Sequence, residues 1–318
     1  MVSLFRTVAV AFCVLLAGSA FPAQAQEALR VTGSATPLVG SEAAPFGHAR
    51  WAPDGTRLAV TRPGYDGLWV VNANGNALTQ LTDEASAGYG AAWAPDGSAL
   101  LARVARYDDR FRSDAVKVFD LATSEVRALT DYRASLPMLP RWQSGAAVVL
   151  VDEEATEALA SGLTVDAARD VAQTVYAEHP QSGLVVVRPD GSRSRYLADQ
   201  RVINAVASPD GQRVAFEVMG GDLHVMNADG SGLTSLGRGH RPTWAPDGDW
   251  VAFMRTEDNG YFFTAADLYA ARPDGSATVQ LTATPDRLEM NPAWAPDGSA
   301  LAFDDNAGTV YVLKIEDF

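Results

Sequence analysis

The side chains of this chain best suited to chemistry are three arginines and two histidines that keep similar distances from a recurring tryptophan. Arg50 and Arg141 stand one residue before Trp51 and Trp142, and Arg241 stands three before Trp244. His48 and His240 lie three and four residues before their tryptophans, and Asn204 and Asn291 share the minus-three position in two further copies. A guanidinium fork grips a carboxylate through paired, charge-assisted hydrogen bonds. Three such forks in one place would make an anion site, unless each pairs with a local Asp or Glu. Two histidines from different parts of the chain could share a metal, but zinc sites take three or four protein ligands and no third has clear spacing. No metal, no cofactor and no catalytic residue is therefore expected. Tyr107, Phe111 and Tyr261 stand in long connecting stretches, and aromatic side chains of this kind anchor binding surfaces.

Other chemistries are absent. There is no Gly-x-Ser-x-Gly nucleophile turn and no His-Glu-x-x-His motif. The one cysteine, Cys13, lies in the leader described below, so disulfides and thiolate sites are excluded. His179 and His224 read as structural side chains. The repeated Pro-Asp-Gly aspartates have a sufficient role as turn formers, since Pro presets φ, Asp bonds back to nearby amides and Gly accepts positive φ. A ring of calcium-binding aspartates is the rival reading, but calcium needs six to eight converging oxygens and these residues belong to separate repeats.

The elements that must position these residues are themselves repeated. Trp51-Ala52-Pro53-Asp54-Gly55 returns as Trp93 to Gly97, Trp244 to Gly248 and Trp294 to Gly298. Pro209-Asp210-Gly211 follows Ala207 in the tryptophan place, and Trp142-Gln143-Ser144-Gly145 is a worn copy. Each is followed by a short apolar strand such as Val251-Ala252-Phe253, then by a second such as Leu268-Tyr269-Ala270. An Asp-Gly or Asn-Gly turn and a strand often ending in Leu-Thr complete the unit. Four short strands per unit, in six units, describe the blades of a propeller.

The sequence Trp-Ala-Pro-Asp-Gly, an apolar strand, Asn-Ala-Asp-Gly and Leu-Thr resembles the PD40, or WD40-like, repeat of TolB-type propellers. The resemblance spans nearly the whole chain after the leader. It implies an all-β, six-bladed β-propeller without the α/β domain that precedes the propeller in TolB. TolB is a periplasmic adaptor that binds envelope partners, so the resemblance implies an exported, non-enzymatic module binding a protein or peptide. Propellers also host lyases and hydrolases, and an enzyme acting on an anionic sugar or lactone is the alternative.

The ends and insertions complete the reading. Residues 1–25 have the pattern of a secretory signal: Arg6, an apolar run from Val8 to Ala20, and Ala23-Gln24-Ala25. The apolar run is shorter than the ~20 residues a membrane span requires, so no span is expected after processing. The location implied is periplasmic or secreted. Residues 26–35 read as a flexible lead. Residues 36–40 match the fourth strand of a blade and are expected to close the ring by completing the blade begun at Trp294. Residues 152–181 break the strand pattern, and the apolar spacing of 166–178 predicts a short helical insertion in the third blade, with a shorter helix near 155–159. Net charge is −14, which disfavours nucleic acid and anionic membranes as partners. A monomer binding an envelope protein or acidic peptide is expected, with the long second-to-third-strand loops, His48 and His240 on one face.

Overall fold

The computed structural model describes residues 29–134, 136, 139–143, 147–151, 156–163, 174–176, 183–188 and 192–316. Their regular structure is strand, apart from one 3-10 turn at Pro63–Tyr65.

The first unit holds β2–β5 (Gly47–Trp51, Arg57–Thr61, Leu68–Asn72, Thr79–Thr82), and the second β6–β9 (Ala92–Trp93, Ala99–Asp108, Phe111–Asp120, Val126–Ala128). The third holds β10–β12 (Pro140–Gln143, Ala147–Val151, Thr156–Ala160) and β13–β15 (Thr174–Tyr176, Leu184–Val187, Arg193–Tyr196). The fourth holds β16–β19 (Val202–Ala207, Arg213–Val218, Leu223–Asn227, Thr234–Gly237), and the fifth β20–β23 (His240–Trp244, Val251–Asp258, Phe263–Ala271, Thr278–Gln280). The sixth combines β24–β26 (Glu289–Trp294, Ala300–Asp305, Thr309–Glu316) with β1 (Arg30–Gly40) from the start of the chain. The fold is the all-β propeller of six repeat units that the sequence predicts. Among the described residues the third and longest unit forms two three-stranded sheets, so the six units contribute seven sheets there.

β1 pairs antiparallel with β26 from Arg30↔Glu316 to Gly40↔Thr309. It joins the two ends of the described chain, as a non-covalent closure that covers the edge β26 would otherwise present. Residues 30–35, expected as part of the lead, are strand.

The expected helices fare differently. The shorter helix expected near 155–159 falls on β12, residues 156–160, which pairs with β11 over its full length. Residues 174–176, within the longer one, are β13 and pair with β14. Short Ala- and Leu-rich runs satisfy either period, and a neighbouring strand edge decides between them. The rest of the proposed insertion lies outside the described residues.

The core sits between the sheets. Second strands read as almost continuous buried runs, such as Val251–Met254 and Leu301–Asp305, because a neighbouring sheet covers each face. One cluster joins Trp250, Ala252 and Leu268 to Trp294, Leu301 and Phe303 of the next unit. Four of the repeated tryptophans are staples as well as packing. Trp51 Nε1 donates to the Ala293 carbonyl at 3.1 Å, Trp93 to Arg50 at 3.0 Å, Trp142 to Ala92 at 3.1 Å and Trp244 to Val206 at 3.0 Å. Each acceptor stands just before the tryptophan position of the preceding unit. No helix among the described residues is long and apolar enough to cross a membrane.

Candidate functional site

The innermost strand of four units carries a bulge at the minus-three position. The ladder slips between Gly47 and Arg50, between Ile203 and Val206, between His240 and Thr243 and between Met290 and Ala293. There the chain turns left-handed: φ is 53° at His48, 70° at Gly90, 51° at Asn204, 56° at Arg241 and 52° at Asn291. Gly and Asn enter this region cheaply, whereas His and Arg are strained there. Strain held in place by its surroundings is a pointer to a functional position.

Around His48 the structure gathers an aromatic and basic cluster. The His48 ring stacks on Tyr65, with centroids 4.3 Å apart, and Tyr65 meets Tyr89 edge-on at 5.0 Å. Arg241 Nη2 donates to Tyr65 Oη at 3.3 Å, and the Arg103 guanidinium lies 5.6 Å over the Tyr89 ring. Tyr65 is itself left-handed, with φ 63°, in the turn between β3 and β4. Tyr89 comes from the loop that enters the second unit.

Arg50 lies within electrostatic reach of the other two arginines. Burial lowers the pKa of Arg50, and the charges of Arg141 and Arg241 lower it further. Solvent nevertheless reaches Arg50. Both observations hold for a side chain set inside a ring, walled by protein yet wet. Burial, Arg241 and Arg50 together bring His48 down to about 4, so its imidazole is neutral at pH 7. Burial pushes Asp304 up to about 7, against hydrogen bonds from the His48 backbone and the Asn291 side chain.

The residues singled out from sequence divide into three groups. His48, Arg50, Arg141 and Arg241 come together. Asn204, His240 and Asn291 are engaged by two buried carboxylates. Glu217 Oε1 accepts from Asn204 Nδ2 at 2.7 Å and Glu217 Oε2 lies 3.0 Å from His240 Nδ1, while Asp304 Oδ1 accepts from Asn291 Nδ2 at 2.9 Å. Tyr107, Phe111 and Tyr261 are 59%, 81% and 93% exposed on the β7–β8 and β21–β22 hairpins, out at the loop tips and away from the cluster. Sequence reasoning missed Tyr65, Tyr89, Glu217 and Asp304. The two carboxylates carried a signal: Ala215-Phe216-Glu217 and Ala302-Phe303-Asp304 end the same strand that reads Ala252-Phe253-Met254 in the fifth unit.

The Pro-Asp-Gly aspartates serve their own turns. Asp54 Oδ1 accepts from the Thr56 amide at 2.9 Å, and Asp96, Asp210, Asp247 and Asp297 do the same two residues on. Among the described residues, no group of three or more His, Cys, Asp or Glu side chains is arranged to hold a metal ion.

No family model matches the chain, and no curated protein matches it in sequence. Solved structures do match in fold. TolB from Acinetobacter baumannii aligns with a TM-score of 0.53 and 14% identity, over 79% of this chain and 57% of that one. The chain shares the propeller fold of that TolB. It spans little more than half the length of that TolB. An oligogalacturonate lyase in complex with manganese aligns with this chain at a TM-score of 0.58 and 12% identity, over 92% of this chain and 98% of the lyase. A chain of the mitotic checkpoint complex aligns at 0.63 and 14%, over 99% and 100%. Three such different proteins on one scaffold establish the architecture and leave function to the site.

Proposed function

We propose that this TolB-like propeller is an exported binding module whose long-loop face captures a carboxylate-bearing protein or peptide of the cell envelope. The observation that carries the reading is the mutual repulsion of Arg50, Arg141 and Arg241 inside a chain of net charge −14. Like charges held together favour an incoming anion. Neutral His48 with Tyr65 and Tyr89 supplies an apolar wall for the group next to that carboxylate. The leader pattern of residues 1–25 and the likeness to TolB support a periplasmic or secreted location. The module acts as a monomer without a cofactor.

The test is fluorescence anisotropy with a labelled hexaglutamate peptide. The native protein binds it, and added salt weakens the complex. Arg50→Ala with Arg241→Ala weakens binding by about 100-fold, or ~2.7 kcal/mol, while the fold survives. Asp54→Ala costs about 0.5–2 kcal/mol of stability, as loss of a side-chain cap does, and leaves binding intact. Loss of binding in a stable Asp54→Ala protein, with no effect of the arginine changes, would place the site on the wrong face.

A second reading rests on the fold shared with oligogalacturonate lyase. The same arginines would hold the carboxylates of a uronic acid oligomer, and turnover of such an oligomer by the purified protein would favour this reading.

A further inference from the structure

Glu217 and Asp304 stand ten residues after Ala207 and Trp294, the same place in two repeat units. Both are 4% exposed, so each carboxylate is buried. Each makes the same two bonds. One reaches the minus-three Asn of its own unit, Asn204 or Asn291. The other reaches the backbone N–H of the minus-three residue in the next unit round the ring: Glu217 Oε1 accepts from Arg241 N at 2.6 Å, and Asp304 Oδ2 from His48 N. The approach of Asp304 requires a glycine beside it, because a Cβ on Gly47 would lie 2.8 Å from Asp304 Oδ2.

The pattern is selective. In the first and fifth units the corresponding residues are Thr61 and Met254, and the minus-three residues that follow them are Gly90 and Asn291. Gly and Asn adopt the left-handed conformation at little cost. For His48 and Arg241 it is sterically disfavoured, and among the described residues they are the two whose amide is held by a carboxylate from the preceding unit. They are also two of the side chains that form the basic and aromatic mouth.

We infer that Glu217 and Asp304 are positioning residues, which hold Arg241 and His48 in strained left-handed backbone so that their side chains face an anionic ligand. This rests on the reading of the mouth given above. A hydrogen bond that satisfies an otherwise orphaned buried N–H is strong enough to fix a backbone that sterics disfavour. The glutamine and asparagine isosteres keep an acceptor oxygen, so Glu217→Gln and Asp304→Asn retain the device while Glu217→Ala and Asp304→Ala remove it.

The experiment measures hexaglutamate affinity and amide hydrogen exchange on the same variants. Glu217→Ala should lower affinity by about ten-fold or more, and Glu217→Gln by about two-fold at most. Arg241→Asn should also weaken binding, and adding Glu217→Ala to it should change nothing further, because Asn needs no carboxylate to hold its φ. Equal losses from Glu217→Ala and Glu217→Gln, or the same loss in the Arg241→Asn background as in native protein, overturn the inference. Should native protein fail to bind hexaglutamate, the reading of the mouth falls, and exchange alone decides the positioning. The Arg241 amide should then exchange faster in Glu217→Ala, and the His48 amide in Asp304→Ala. Unchanged protection of both overturns the inference.

Discussion

Asp304 accepts the backbone N–H of His48, a residue 256 positions earlier in the chain, across the seam where the last repeat unit meets the first. The pair titrates in opposite senses. Asp304 is raised from 3.8 to about 7 by burial, so between those values the folded protein holds a proton that the unfolded chain has released. Its contribution is greatest at low pH and is lost as pH rises through 7. His48 is lowered from 6.5 to about 4 by burial and by Arg241 and Arg50, so there the unfolded chain holds the extra proton. That contribution is present above 6.5 and lost as pH falls towards 4.

The two slopes oppose each other, and Asp304→Asn removes only the first. The melting temperature of Asp304→Asn, relative to native protein, should climb as pH is raised from 5 to 7.5. A difference that stays flat over that range would show that Asp304 does not titrate there.

His48→Asn replaces a strained residue with the one that two other units use at the same φ. It should stabilise the protein by about 0.5–1 kcal/mol while weakening hexaglutamate binding, since the ring on Tyr65 is lost. A gain at a binding position paired with a loss of affinity is the usual trade between stability and function. Thermal denaturation and anisotropy on one sample check both halves.

Deleting residues 30–40 removes β1 and leaves β26 as an open edge. Val31, Leu38 and Val39 lose their packing. At ~1 kcal/mol for each partly buried side chain this is about 3 kcal/mol, which lowers the melting temperature by roughly 6–12 °C in a domain of this size. An unchanged transition would mean that the ring does not depend on this closure.

Trp93→Phe keeps the aromatic packing but removes the indole donor to the Arg50 carbonyl. The expected cost is ~1 kcal/mol, read by urea denaturation. Trp142→Phe should behave alike, because it makes the same bond to Ala92 one unit further on.

The architecture was legible because it is written several times over. Trp-Ala-Pro-Asp-Gly marks four inner strands intact, and alignment on the tryptophan sets Arg50 and Arg141 one residue before it and Arg241 and His48 three before it, alternate positions that share a side of the strand. Tyr65 and Tyr89 were not legible, because they sit in connecting loops where the repeat imposes no pattern. Glu217 and Asp304 look like ordinary strand ends in isolation, and only comparison with Thr61 and Met254 reveals a choice of carboxylate. β12 and β13 were misread because Ala-rich runs fit a helical period, and pairing with β11 and β14 is a long-range fact that local spacing does not contain.

The central claim is that the anion enters the basic mouth on the long-loop face. Its most direct test is a titration of isotope-labelled protein with hexaglutamate, followed through the arginine side-chain N–H signals and the His48 ring. The account predicts saturable shifts at Arg50, Arg241 and His48, with the amides of the Pro-Asp-Gly turns, such as Thr56 and Ser98, unmoved. Shifts confined to those turns, with the arginine signals unchanged at saturation, would contradict it.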